Sequence, residues 1–203
     1  MRPGQAQRHK VSKAQSEERG KSMRPSETKL PNFYLKPGQI YIAEKPTLVS
    51  TVLGSCISVT MFNSRFKIGA ISHGMLPLCK SMNSCAGECH ESFKYVDCSI
   101  RRMIKMFNTY GIKSGEIEVK LFGGADVLGS GNVGNIMSVG GMNIETALKM
   151  IRTKGLNIVI SDVGGLCGRK IYFYTHTGEI FLKRLEKMGK IDLPDQRIVK
   201  GVY

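Results

Sequence analysis

A single cysteine and a single histidine stand where one short hairpin pattern begins and ends. Cys56 lies in Leu53-Gly54-Ser55-Cys56-Ile57-Ser58-Val59, and His73 in Gly69-Ala70-Ile71-Ser72-His73-Gly74-Met75-Leu76-Pro77. Between them, apolar Ile57, Val59 and Met61 alternate with Ser58 and Thr60. Asn63-Ser64-Arg65-Phe66 turns the chain, and residues 67–71 return it. With Ser64 and Arg65 as the two turn residues, Asn63 faces Phe66, Val59 faces Ala70 and Cys56 faces His73. Directly opposed residues of an antiparallel pair share a face, with Cβ atoms roughly 4.5–5.5 Å apart. A thiol that close to an imidazole can pass it a proton and become a nucleophile. Leu53-Gly54-Ser55 reads as a sharp turn into the strand, able to aim the Cys56 N–H at a developing oxyanion. The competing reading is packing, since free Cys is among the most buried residue types and a strand-end His often only satisfies a backbone group.

The elements that position this pair follow from periodicity. Residues 39–43 and 47–52 read as strands. Phe93, Val96, Ile100, Met103, Ile104 and Phe107 form one face of a helix that Ser92 can cap and Gly111 can stop. Ile117, Val119 and Leu121 alternate as a strand ending at Gly123-Gly124. Asn143 can cap a second helix with a stripe of Ile144, Ala147, Leu148 and Ile151, closed by Gly155. Residues 156–160, 170–175 and 179–185 read as further strands, the last two joined through His176-Thr177-Gly178 with His176 an exposed turn residue.

Composition removes several function classes. The 203 residues fit one domain with a sizeable core, and no apolar run approaches the ~18–20 residues of a membrane span. The N-terminus carries no apolar segment of a secretory signal, so a cytoplasmic protein is expected. The formal charge of +14 divides into +5 over residues 1–30 and +9 spread through the body. The expected organisation is a disordered basic arm over residues 1–30, a domain over 31–190 and a tail over 191–203. Aromatics make up 7% and do not interleave with the basic arm, which disfavours nucleic acid as a partner. The six cysteines are expected as reduced thiols. Cys79, Cys85, Cys89-His90 and Cys98 are spaced C-x5-C-x3-C-H-x7-C, without the tight C-x2-C pairs of zinc ribbons, so no metal is assigned. Gly129-Ser130-Gly131-Asn132-Val133-Gly134 matches G-x-G-x-x-G but lacks the flanking strand and helix of a dinucleotide site, and reads as a mobile surface loop.

Several blocks together resemble the CheD family of chemoreceptor glutamine deamidases. They are L-G-S-C-I-S-V at 53–59, G-A-I-S-H-G-M-L-P at 69–77, K-Y-V-D at 94–97, F-G-G-A at 122–125, G-M-N-I at 141–144 and D-V-G-G at 162–165, in family order over about residues 35–185. The resemblance implies an α+β fold, an α-β-β-α layered sandwich with mixed sheets. It also implies hydrolysis of selected glutamine side-chain amides on receptor helices to glutamate and ammonia. It puts the nucleophile on Cys56, the base on His73, and the family's threonine, six residues before the cysteine, on Ser50. Serine keeps the hydroxyl and loses the methyl that limits its rotamer. Thr51, beside it on the opposite strand face, is the lesser substitute. No cofactor is implied, and a CheC-type phosphatase is an implied partner.

The expected mechanism is acyl transfer through a thioester on Cys56, with His73 as base and then acid and Ser50 holding the imidazole tautomer. An activated Cys56 should alkylate at lower pH than an ordinary thiol near ~8.5. The alternative is a non-catalytic chemotaxis adaptor that binds receptors or the CheC phosphatase.

Overall fold

Period-two runs become strands and the two apolar stripes become helices in the computed structural model, which describes residues 30–79, 92–126 and 137–185. Strands β1 (Asn32–Tyr34), β3 (Leu48–Leu53), β8 (Arg169–Tyr174) and β9 (Ile180–Arg184) form a four-stranded sheet in the order β1-β3-β8-β9. Strands β2 (Ile40–Ile42), β5 (Ile68–Ser72), β4 (Ile57–Asn63), β6 (Glu118–Gly123) and β7 (Asn157–Val163) form a five-stranded sheet in the order β2-β5-β4-β6-β7. Each sheet is mixed: β1 runs parallel to β3 and β6 parallel to β7, and the other pairings are antiparallel.

Helices α1 (Val96–Thr109) and α2 (Val139–Thr153) both pack on the five-stranded sheet. Their apolar stripes, Val96, Ile100, Met103 and Phe107 from α1 and Ala147 and Ile151 from α2, close over Ile57, Val59 and Met61 of β4 and Val119 and Leu121 of β6. A second core lies between the sheets, from Val49, Leu53, Ile171 and Phe173 on one side and Ile71 and Phe122 on the other. Each fully buried large apolar side chain in such a core contributes about 1.5–3 kcal/mol. The central strand β4 is therefore buried on both faces, and the alternating Ser58 and Thr60 face the second sheet rather than solvent. The α+β class and the paired mixed sheets agree with expectation. The described layers run helices, five-stranded sheet, four-stranded sheet, and a helix on the far face of the four-stranded sheet is not found among the described residues.

Three local expectations are corrected. The hairpin after β4 closes at Asn63 opposite Ile68, leaving a four-residue loop with Lys67 in the left-handed region at φ +53°. Asn63 Oδ1 accepts from the Phe66 N–H at 3.0 Å, which stabilises the wider loop over a two-residue turn. Helix α1 starts after Tyr95, with Ser92–Lys94 a separate 3-10 turn. Helix α2 starts four residues before Asn143, because Ser138 Oγ accepts from the Gly141 N–H at 3.2 Å and caps it. The basic arm, the glycine loop over 129–134 and Cys85, Cys89 and His90 lie outside the described residues.

Candidate active site

The chain leaves the four-stranded sheet at Leu53 and enters the five-stranded sheet at Ile57, so Gly54-Ser55-Cys56 is the crossover between the two layers. Cys56 is half-buried and packs against the inter-sheet core. The left-handed residues that make the bend fit are Gly123 (φ +110°) and Gly124 (φ +65°), not Gly54. A Cβ on Gly123 would run into the Cys56 carbonyl, and the Gly124 N–H donates to that carbonyl at 2.8 Å. The F-G-G-A block thus seats the cysteine bend, which explains why two glycines end β6.

His73 follows β5 and is 2% exposed. Its backbone is held along one edge by the Gly38–Gln39 segment: its N–H donates to Gln39 O at 2.9 Å and its carbonyl accepts from the Gly38 N–H at 2.8 Å. Ile57 and Gly74 exchange both backbone bonds, at 2.9 and 2.8 Å. That register places His73 opposite Ser58 and Cys56 opposite Met75, two residues from the expected pairing. A slip of two preserves the faces. Cys56 and His73 are therefore diagonal neighbours on the inter-sheet face instead of directly opposed, a spacing still within reach of long side chains. Ser58 Oγ, opposite His73 on the same face, is buried and among the described residues has no hydrogen-bond partner.

The hydroxyl on the imidazole belongs to Thr51. Its Oγ1 lies 2.7 Å from His73 Nδ1 and donates to the Leu35 carbonyl at 2.8 Å. A carbonyl can only accept, so the threonine proton is committed to Leu35 and its oxygen must accept from Nδ1–H. That fixes the tautomer and leaves the Nε2 lone pair free. Ser50 points the other way: in register with Tyr34 on one side and Tyr172 on the other, it sits on the outer face of the four-stranded sheet. The structure thus joins His73 to Thr51, with Cys56 on the same inter-sheet face, and leaves Ser50 on the opposite one. The reason is strand parity. Counting back from Cys56 crosses a bend that changes sheets, where alternation no longer carries over.

Burial sets the resting protonation. It pushes the Cys56 thiol up from its ordinary value, against a smaller opposing pull from the residue's own backbone N–H. It lowers His73 to about 4, opposed by the Leu35 carbonyl, which favours the protonated ring. Near neutrality the site therefore holds a thiol and a neutral imidazole, not a preformed thiolate–imidazolium pair. The expectation of alkylation at unusually low pH is corrected by this.

Sequence reasoning also undervalued Asn143. It is fully buried within α2, and its Nδ2 donates to Ser55 O and Met75 O, each at 3.0 Å. By type Asn143 reads as a helix cap, and only the packing of α2 against the bend reveals these contacts. Cys79 and Cys98 are buried and not joined in a disulfide, and Cys79 N–H donates to Asp97 Oδ1 at 3.2 Å. Among the described residues no three His, Cys, Asp or Glu side chains are grouped to hold a metal. His176, expected at the surface, is half-buried, and its Nδ1 is buried with no hydrogen-bond partner among the described residues. No helix among the described residues is long and apolar enough to cross a membrane.

Residues 75–184 match the family model described as CheD chemotactic sensory transduction. A protein of Geobacter sulfurreducens named probable chemoreceptor glutamine deamidase CheD 2 is 47% identical over 78% of this chain and 93% of its own length. Proteins named probable chemoreceptor glutamine deamidase CheD from Maridesulfovibrio salexigens and Thermococcus kodakarensis are 37% and 32% identical. Those alignments cover 81% and 76% of this chain, and 98% and 92% of the relatives.

Proposed function

The chain belongs to the CheD family, and from that premise we propose that it hydrolyses glutamine side-chain amides of chemoreceptor helices, giving glutamate and ammonia through a thioester on Cys56. The observation that best supports this reading is the Leu35–Thr51–His73 chain of hydrogen bonds, which leaves Nε2 of a neutral imidazole as a base on the face that Cys56 occupies.

In this mechanism His73 Nε2 takes the thiol proton as sulfur adds to the amide carbon. The carbonyl electron pair moves to oxygen, and the Cys56 N–H donates to the oxyanion. Collapse breaks the C–N bond, and the imidazolium Nε2–H protonates the departing nitrogen as ammonia. Water, losing its proton to His73, then adds to the thioester, and the sulfur leaves as the thiol with that proton. Thr51 takes the place expected for Ser50, accepting from Nδ1–H throughout and steadying the imidazolium. Because the pair rests neutral, the mechanism needs general-base transfer at the moment of attack. The acid limb of kcat/KM should accordingly follow His73, with activity rising as pH passes upward through about 4. A CheC-type phosphatase partner belongs to this reading, and co-elution of the two purified proteins tests it.

The deciding experiment incubates the protein with a receptor cytoplasmic fragment and follows the one-dalton gain per deamidation by mass spectrometry, with ammonia release in parallel. Wild type should produce both and Cys56→Ala neither. Equal ammonia release from Cys56→Ala would remove Cys56 as nucleophile, and no gain with wild type would turn the reading to a binding adaptor.

A further inference from the structure

Three consecutive carbonyls at the cysteine bend are each held from outside it. Gly54 O accepts from the Ala125 N–H and Cys56 O from the Gly124 N–H, both at 2.8 Å. The carbonyl between them, Ser55 O, is held by a side chain instead, Asn143 Nδ2 at 3.0 Å. The same Nδ2 holds Met75 O, just beyond His73 and Gly74, at 3.0 Å. One amide group from α2 therefore clamps the bend that carries the nucleophile to the segment that follows the base.

The rest of Asn143 argues against a packing role. The side chain is fully buried, yet among the described residues its Oδ1 has no hydrogen-bond partner. Such an orphaned acceptor carries a desolvation cost that an apolar side chain of similar size would not incur. The fold keeps the amide, so the two donated bonds are the reason to examine. A trans peptide is planar, with its C=O and N–H pointing in opposite directions. Holding Ser55 O toward α2 turns the Cys56 N–H away from α2. That N–H is also the group that favours the thiolate form of Cys56.

We propose that Asn143 is the positioning residue of the oxyanion site. It acts through the Ser55–Cys56 peptide without touching substrate, fixing the amide N–H where the carbonyl oxygen of the glutamine side chain gains its negative charge. The Met75 bond makes the same side chain set the bend against the His73 segment. The inference rests on the deamidase reading and adds to it a residue outside the Cys56, His73 and Thr51 constellation.

The test compares the full chain with its Asn143→Leu and Asn143→Ser variants. It measures kcat and KM for ammonia release from a receptor cytoplasmic fragment, and the rate of Cys56 alkylation by iodoacetamide across pH. Loss of an aligned oxyanion donor costs on the order of 10²-fold in rate. Asn143→Leu should therefore lose about 100-fold in kcat, with KM and the alkylation profile within about twofold, because alkylation at sulfur develops no carbonyl oxyanion. Asn143→Ser, whose hydroxyl can still donate to one carbonyl, should fall between. If the leucine variant does not melt cooperatively, the serine variant decides: a kcat loss beyond twofold with unchanged alkylation supports the assignment. A folded variant with kcat within twofold of wild type overturns it, as does alkylation that falls in parallel with kcat. Wild type releasing no ammonia would sink the deamidase reading and this inference together, whereas an active wild type beside an equally active variant sinks the inference alone.

Discussion

The two faces of β3 carry adjacent hydroxyls with opposite fates. Thr51 faces the second sheet, fully buried, its oxygen between His73 Nδ1 and the Leu35 carbonyl. Ser50 faces away, in a row that runs Tyr34, Ser50, Tyr172 and Phe181 across the four strands. The inner face is dry and each polar contact orients the next. On the outer face Tyr34 and Phe181, at the two ends of the row, are exposed, whereas Ser50 is itself buried. Chemistry requires the first environment, because a proton shared between neutral groups is directed only where water does not compete.

The largest effect expected to sharpen this contrast is on stability. The folded His73 titrates at about 4 against an ordinary value of 6.5. Between those values the unfolded chain binds a proton that the folded chain refuses, so stability is full above pH 6.5 and is lost as pH falls toward 4. The loss from this one group is about 3 kcal/mol. Urea denaturation at pH 7 and pH 4 should show it, and His73→Gln should flatten the curve by that amount. Equal pH dependence in both proteins would mean that the inter-sheet face is wet. Next comes Thr51→Val, which keeps the shape and removes the hydroxyl. Its kcat for receptor deamidation should fall about ten- to a hundredfold as the imidazole loses its fixed tautomer. A variant as active as wild type would break the assignment of Thr51. The smallest effect belongs to Ser50→Ala, expected within about twofold of wild type in kcat and close to it in melting temperature. A loss as deep as that of Thr51→Val would return the third position to Ser50.

Much of this arrangement was legible in the chain. The strand runs of β3 to β9 and both helices follow from periodicities of two and 3.6, because burial of one face is a local demand that the residues themselves record. Cys56 and His73 were likewise visible as the two ends of one hairpin pattern, although packing explained that placement equally well until the family resemblance gave the pair a reaction. Boundaries were less visible. Ser138 rather than Asn143 caps α2, and both residues suit a cap by type; the choice is made by Gly140, whose added Cβ would strike the Gly124 carbonyl and so marks where α2 packs on the bend. The hairpin register was misjudged by two because Ser64-Arg65 carries no strong turn signal, whereas the Asn63 side chain favours the longer loop.

Alternation alone, then, puts Cys56 and His73 on the same face of an antiparallel pair. That follows from alternation within one continuous hairpin, and it survived a slip of two residues. What only the tertiary structure decided is the third partner and the clamp. Thr51 reaches His73 from the other sheet, and Asn143 reaches Ser55 from α2, 88 positions along the chain. Neither contact is a matter of local period. Both depend on how layers stack, and stacking is set by the sum of many buried side chains rather than by any motif.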